Sequence, residues 1–213
     1  SFIDKTSIFQ TRPKYSNKVK KEILHNFFEN KKMGQSLKPV VVTAYDLEAR
    51  KPILLSSYSD PNVLAVDAAN ASSAAPIYFP TASMEDGRWL IDGGIATNNP
   101  SLIGYVEAKK LFFTNNIKVL GIGAGLNKRK IRGKNSRNWG ALGWLRHDIL
   151  GIMLESSLQN EILKELIGED YLRINSAIGD VNRRMDDISD RNLAKIRNLA
   201  EKWWNEFGNN AIN

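Results

Sequence analysis

Apolar residues early in the chain recur at helical spacing. Val19, Ile23, Leu24 and Phe27 mark one face of residues 17–32, and Gly34 ends the pattern. An amphipathic helix is expected there. Residues 39–45, Pro-Val-Val-Val-Thr-Ala-Tyr, form an uncharged and β-branched run, the pattern of a strand buried on both faces. Residues 52–57 read as a neighbouring strand. The alanine-rich stretch 63–75 reads as a helix that Pro76 ends. Asp86-Gly87 is a tight-turn signal between Ile77-Tyr78-Phe79 and Arg88-Trp89-Leu90-Ile91, which predicts a hairpin.

The alternation continues. Asn98-Asn99-Pro100 offers an N-cap and a proline at the first helical position, and Leu102, Val106, Lys109 and Phe113 follow on one face of a helix over 100–113. Residues 117–122 read as a buried strand that runs into Gly121, Gly123 and Gly125, a strand-glycine-loop succession typical of α/β proteins. Ile149, Ile152, Met153, Leu163, Leu166 and Ile167 share a face of a helix over 148–167, and 171–175 is a brief strand. Ser189 is placed to cap a last helix with Leu193, Ile196, Ala200, Trp203, Trp204 and Phe207 on one stripe, stopped by Gly208. Core packing is the expected use of the two adjacent tryptophans, with a membrane interface as the alternative. No repeat and no linker is visible, so one α/β domain over 1–213 is the economical reading.

Composition limits the classes. At roughly 150 residues per domain, 213 residues suit one domain, and 42% hydrophobic with 25% charged residues rules out wholesale disorder. The absence of cysteine excludes disulfide staples, thiolate zinc sites and a cysteine nucleophile, and leaves the compartment open. The longest uncharged stretch, 68–84, carries Asn70, Ser72, Ser73, Ser83 and two prolines, and falls short of the ~20 apolar residues of a membrane span. No signal peptide is visible and the first residue is Ser. A soluble, cytoplasmic or membrane-peripheral location is therefore expected before an integral one.

Thirty Lys and Arg against 23 Asp and Glu leave +7, and the excess is local. Lys128, Arg129, Lys130, Arg132, Lys134 and Arg137 fall within ten residues without an acid, so their removal would leave +1. With Gly133, Asn135 and Ser136 between them they read as a loop, either a solvated connector or a contact with anionic lipid at ~1 kcal/mol per basic residue near the surface. Nucleic acid is not expected, because no aromatic residues interleave and no nucleic-acid motif accompanies the run.

The two histidines, His25 and His147, lie beside no nucleophile motif, which speaks against a Ser-His-Asp triad. Clustered metal ligands and Walker-type glycine loops are absent from the sequence, so neither metal nor cofactor is expected. The informative segment is Trp89-Leu90-Ile91-Asp92-Gly93-Gly94. A short apolar strand delivers an acid onto two glycines, whose missing Cβ atoms allow positive φ and close approach of another backbone. Such a turn presents a carboxylate at a strand's end, where α/β sites lie. Taken alone, Asp-Gly-Gly is an ordinary turn.

Its context changes the reading. Residues 66–80, Val-Asp-Ala-Ala-Asn-Ala-Ser-Ser-Ala-Ala-Pro-Ile-Tyr-Phe-Pro, are followed by Ile91-Asp92-Gly93-Gly94 and Asn98-Asn99-Pro100. In this order they strongly resemble the patatin-like phospholipases. Val42-Thr43-Ala44-Tyr45-Asp46-Leu47, Val119-Leu120-Gly121-Ile122-Gly123, Trp139-Gly140 ahead of Trp144, Tyr171-Leu172-Arg173-Ile174-Asn175 and Met185-Asp186-Asp187 extend the resemblance over nearly the whole chain. It implies a central, mostly parallel sheet flanked by helices and a lipid acyl hydrolase of phospholipase A type. The resemblance also implies a Ser-Asp dyad without histidine, in which Asp92 is the acid and Gly93 and Gly94 shape its turn. Phospholipid or another acyl lipid is the implied substrate, and calcium is expected to be dispensable, since no oxygen-rich ligand loop is present.

One departure is large. The family's G-x-S-x-G nucleophile elbow and its glycine-rich oxyanion loop occur nowhere in these residues. Both lie, in the family, N-terminal to the segment with which this sequence opens. The expectation is thus the C-terminal part of a patatin-like domain, truncated before residue 1 and inactive by itself. The alternative is a non-catalytic derivative that binds a partner or an anionic membrane.

Overall fold

The computed structural model describes residues 12–127, 131, 133–146, 151–152, 158–182, 184 and 186–212. They fall into two compact units, one ending at Asn98 and the other starting at Asn99. Helices and strands alternate in both, which is the expected α/β class.

In the first unit, helix α1 (Asn17–Phe28) precedes β1 (Val41–Asp46), β2 (Lys51–Ser56), α2 (Ala65–Ser72), β3 (Ala82–Ser83) and β4 (Trp89–Asp92). The strands form a four-stranded sheet in the order β2-β1-β4-β3, and every pairing is antiparallel. The connection between β1 and β2 explains the direction, because a chain that turns within a few residues can only return antiparallel. Asp46 Oδ1 organises that turn by accepting the amide hydrogens of Glu48 at 3.0 Å and Ala49 at 2.9 Å. Pro52 sits in β2, an edge strand, where a missing N–H is tolerated.

The hairpin forms around Asp86-Gly87, but its first arm is Ala82–Ser83 instead of the apolar run 77–79. Pro76 and the residues after it turn: Ile77 is left-handed at φ 75°, and the amides of Tyr78 and Phe79 both donate to the Ala75 carbonyl. Those amides are consumed locally and cannot extend a ladder. Helix α2 packs its small residues against the sheet. Ala68 and Ala71, with Ala74 just beyond the helix, join Met33, Ala44, Leu55, Ala82, Met84 and Leu90 in one core. Burying a leucine as completely as Leu55 or Leu90 contributes ~1.5–3 kcal/mol.

The second unit contains α3 (Ser101–Phe112), β5 (Val119–Ile122), the short helices α4 (Gly133–Ser136) and α5 (Ala141–Arg146), α6 (Leu158–Ile167), β6 (Tyr171–Ile174) and α7 (Asp190–Ile212). Strands β5 and β6 pair in parallel from Val119↔Tyr171 to Ile122↔Ile174. Parallel pairing among the described residues is confined to these two strands and to the single bridge Leu126↔Ala177 that follows them. Helix α3 starts one residue later than expected: Asn99 Oδ1 accepts the Ser101 amide at 3.3 Å and its hydroxyl at 2.7 Å. Helix α7 runs through Gly208 to Ile212, so this glycine does not stop it. Its role is close approach, since a Cβ there would stand 2.8 Å from the Trp204 ring. Trp204 itself is 59% exposed and Trp203 is half-buried near Gly125, so neither tryptophan is among the fully buried core residues.

Of the basic run, Lys134 and Arg137 are exposed, and Lys134 lies in the helical turn α4, which replaces part of the expected loop. Lys128, Arg129, Lys130 and Arg132 lie outside the described residues, as do His147, Ile149, Met153 and Met185. No described helix is long and apolar enough to cross a membrane.

Candidate active site: Asp92 at the end of strand β4

Strand β4 is flanked by β1 and β3, with Ala44↔Asp92, Tyr45↔Ile91 and Asp46↔Leu90 in register with β1. Asp92 is its last residue and the N-cap of a single 3-10 turn, Gly93–Ile95. The turn is closed by the amides of Ala96 and Thr97, which both donate to the Gly93 carbonyl, at 3.0 and 2.8 Å. The Asp92 amide donates to the Ala74 carbonyl at 3.2 Å, tying the strand's end to the segment that follows α2.

The two glycines are needed for space. Neither has positive φ; the positive-φ glycines among the described residues are Gly87, Gly125, Gly168 and Gly179. A Cβ on Gly93 would meet the Thr43 carbonyl carbon, carbonyl oxygen and Oγ1, each at 2.5 Å. One on Gly94 would stand 3.0 Å from Asp92 Oδ1. Close approach, one of the two properties expected of these glycines, is what the turn uses.

Asp92 Oδ1 accepts the Gly94 amide hydrogen at 2.7 Å. No donor among the described residues takes Oδ2. The carboxyl is half-buried, and burial pushes its pKa above the ordinary value, opposed by the Gly94 hydrogen bond and by the charge of Lys20. A carboxylate made more basic in this way, with one oxygen held and the other open, is suited to accept a proton from a hydroxyl.

Lys20 escaped the sequence reading. It lies on α1 among other lysines and no motif marks it, yet its ammonium reaches the C-terminal end of α2. It donates to the Asn70 carbonyl at 3.2 Å, the Ser73 carbonyl at 3.1 Å and Ser73 Oγ at 3.2 Å. Burial lowers its pKa to about 8, against the pull of Asp92 and together with the push of Lys21. Ser73 is exposed and donates its hydroxyl to the Ala69 carbonyl at 2.6 Å. His25 is exposed in the last turn of α1. The described His, Asp and Glu residues form no group of three able to hold a metal ion.

Comparison with known proteins gives this α/β frame a family. The sequence model of the family described as patatin-like phospholipase matches residues 2–103. Patatin-like protein 1 of Arabidopsis thaliana is 32% identical over 231 aligned positions, covering 89% of this chain and 56% of the relative. Patatin-like protein 4 of the same plant is 30% identical, covering 90% and 57%. Patatin-11 of Solanum tuberosum is 23% identical, covering 89% and 58%. This chain belongs with the patatin-like phospholipases, and it spans little more than half the length of these relatives.

Proposed function

We propose that this chain is part of a lipid acyl hydrolase of phospholipase A type, in which Asp92 is the acid of a Ser-Asp dyad. Its nucleophilic serine and oxyanion loop lie on a segment outside these residues, N-terminal to them. The observation that carries the reading is the Asp92 carboxylate: it ends β4, is held through Oδ1 by the Gly94 amide, is raised in basicity by burial and keeps Oδ2 open. In the proposed step a serine hydroxyl donates its proton to Oδ2 as its oxygen attacks the ester carbonyl. The proton then passes to the leaving alkoxide, and water repeats the sequence on the acyl-enzyme. No histidine is required, which suits a site whose described part contains none. Phospholipid or another acyl lipid is the proposed substrate, reached from the surface of an aggregate to which Lys128, Arg129, Lys130, Arg132, Lys134 and Arg137 contribute positive charge. The whole of residues 1–213 is proposed as a portion of one patatin-like domain.

The test is to express the chain with its upstream coding sequence and follow hydrolysis of a p-nitrophenyl ester and of a phospholipid. Asp92→Asn should lower turnover at least ~100-fold, as expected for loss of a proton acceptor, while the circular dichroism spectrum stays unchanged. Full activity in that variant would refute the assignment.

A further inference from the structure

We propose that Lys20 is a positioning residue for Asp92: its ammonium fastens the end of α2 from which the Asp92 backbone hangs, and supplies the positive charge that favours the ionised carboxylate. This rests on the reading of Asp92 as the proton acceptor.

The carbonyls of a helix's last turn lack intrahelical partners and carry the negative end of the helix dipole. Lys20 meets that need at α2. The three hydrogens of its ammonium match three acceptors, the carbonyls of Asn70 and Ser73 and Ser73 Oγ. The Phe79 ring lies under the same nitrogen, 4.3 Å from centroid to Nζ, which adds a cation–π contact. One residue past Ser73, the Ala74 carbonyl accepts the Asp92 amide hydrogen. Lys20 therefore anchors the covalent segment that holds the strand's end, and acts on the carboxylate through space as well.

A packing role alone would be met by an aliphatic side chain, without the desolvation of an ammonium group. Nor is the charge lost in a crowd. The elements around Asp92 carry Tyr45 and Asp46 on β1, Asp67 on α2, and Lys18, Lys20, Lys21, Glu22 and His25 on α1. Among these, Lys20 is the charge that acts on Asp92, whereas Lys21 acts on Lys20 and Asp67.

The carboxyl 13C resonance of Asp92, followed by NMR in the intact chain, reads this relationship without any hydrolysis. In the unmodified protein it should inflect twice: once as Asp92 ionises, and again near pH 8 as Lys20, whose pKa is about 8, loses its proton. Lys20→Gln keeps hydrogen-bond donors without the charge. It should remove the second inflection and move the first to higher pH. Lys20→Arg keeps the charge through this range and should remove the second inflection while holding the first at or below its original place. A single inflection in the unmodified chain, or an unmoved midpoint in folded Lys20→Gln, would overturn the proposal. The unmodified chain alone suffices if the variants fail to fold. In the complete protein, Lys20→Gln should carry the acid limb of kcat/KM to higher pH. If the titrations behave as described but hydrolysis ignores Asp92→Asn, the dyad reading fails while the coupling of Lys20 to Asp92 stands.

Discussion

Gly93 lies against the backbone of Thr43 so closely that a methyl group on its α-carbon would stand 2.5 Å from the Thr43 carbonyl oxygen. The obstacle is main chain in a sheet strand and cannot swing aside. Gly93→Ala should therefore lower the stability of the first unit by ~1–3 kcal/mol, the usual range for overpacking. Gly104→Ala is the contrast. It lies inside α3 with nothing within 4 Å of the added carbon and should raise stability by ~0.5–1 kcal/mol. Urea denaturation of the two variants checks both signs.

Asp92 has its carboxyl pKa raised by burial, so the folded chain binds that proton more tightly than the unfolded chain does. Its favourable contribution is complete below the ordinary carboxyl value of ~3.9 and is lost as pH rises through the folded-state pKa. At neutral pH the ionised group is thus a burden on folding. Asp92→Asn, which still accepts the Gly94 amide hydrogen, should raise the urea midpoint near pH 7, and the gain should vanish below pH 4. An equal gain at both pH values would show that the carboxyl charge is not its source.

Asn70 is 1% exposed, and neither its side-chain oxygen nor its nitrogen has a hydrogen-bond partner among the described residues. Leaving a polar group buried and unpaired costs ~1–3 kcal/mol. Asn70→Leu keeps the branching of the side chain, removes the amide and should stabilise the chain by an amount in that range. Thermal denaturation provides the comparison; a lower Tm would mean that the larger branch overfills the site.

The basic run offers a test of surface binding. Replacing Lys128, Arg129, Lys130, Arg132, Lys134 and Arg137 by Gln should reduce cosedimentation with vesicles of anionic lipid, and the unmodified protein should itself release as salt rises. Screening acts over ~8 Å at physiological ionic strength, so only charges held near the surface contribute. Equal binding by both proteins would leave the run a solvated connector.

Local pattern carried much of the fold. Strands β1, β2, β5 and β6 and helices α1 and α3 begin within about two residues of where period and punctuation put them. The Asp-Gly-Gly turn was equally visible, because its strand, its acid and its glycines are contiguous. Failures came where a tertiary contact decides. Residues 77–79 look like a strand by composition, but the amides after Pro76 close a turn on Ala75. Gly208 looks like a stop, but it makes room for an indole within a continuing helix. Where the resemblance implies a mostly parallel sheet, the described residues have an antiparallel sheet in the first unit, in which short connections join β1 to β2 and β3 to β4, and one parallel pair in the second. Lys20 was invisible because its partners are about 50 residues away, between helices whose contact no local period reports.

The register of β4 gives a leucine authority over the carboxylate. Leu90 and Asp92 are two residues apart and project from the same face of the sheet, and Leu90 is fully buried in the alanine-lined core beside α2. A slip of one residue along β1 would turn Asp92 to the opposite face, away from Lys20 and the Ala74 carbonyl, and would pull Leu90 from its seat. The aim of the acid is thus checked during folding by an apolar side chain without chemistry of its own. Variation at position 90 would be read first as a change in stability, and only through that as a change in where the carboxylate points.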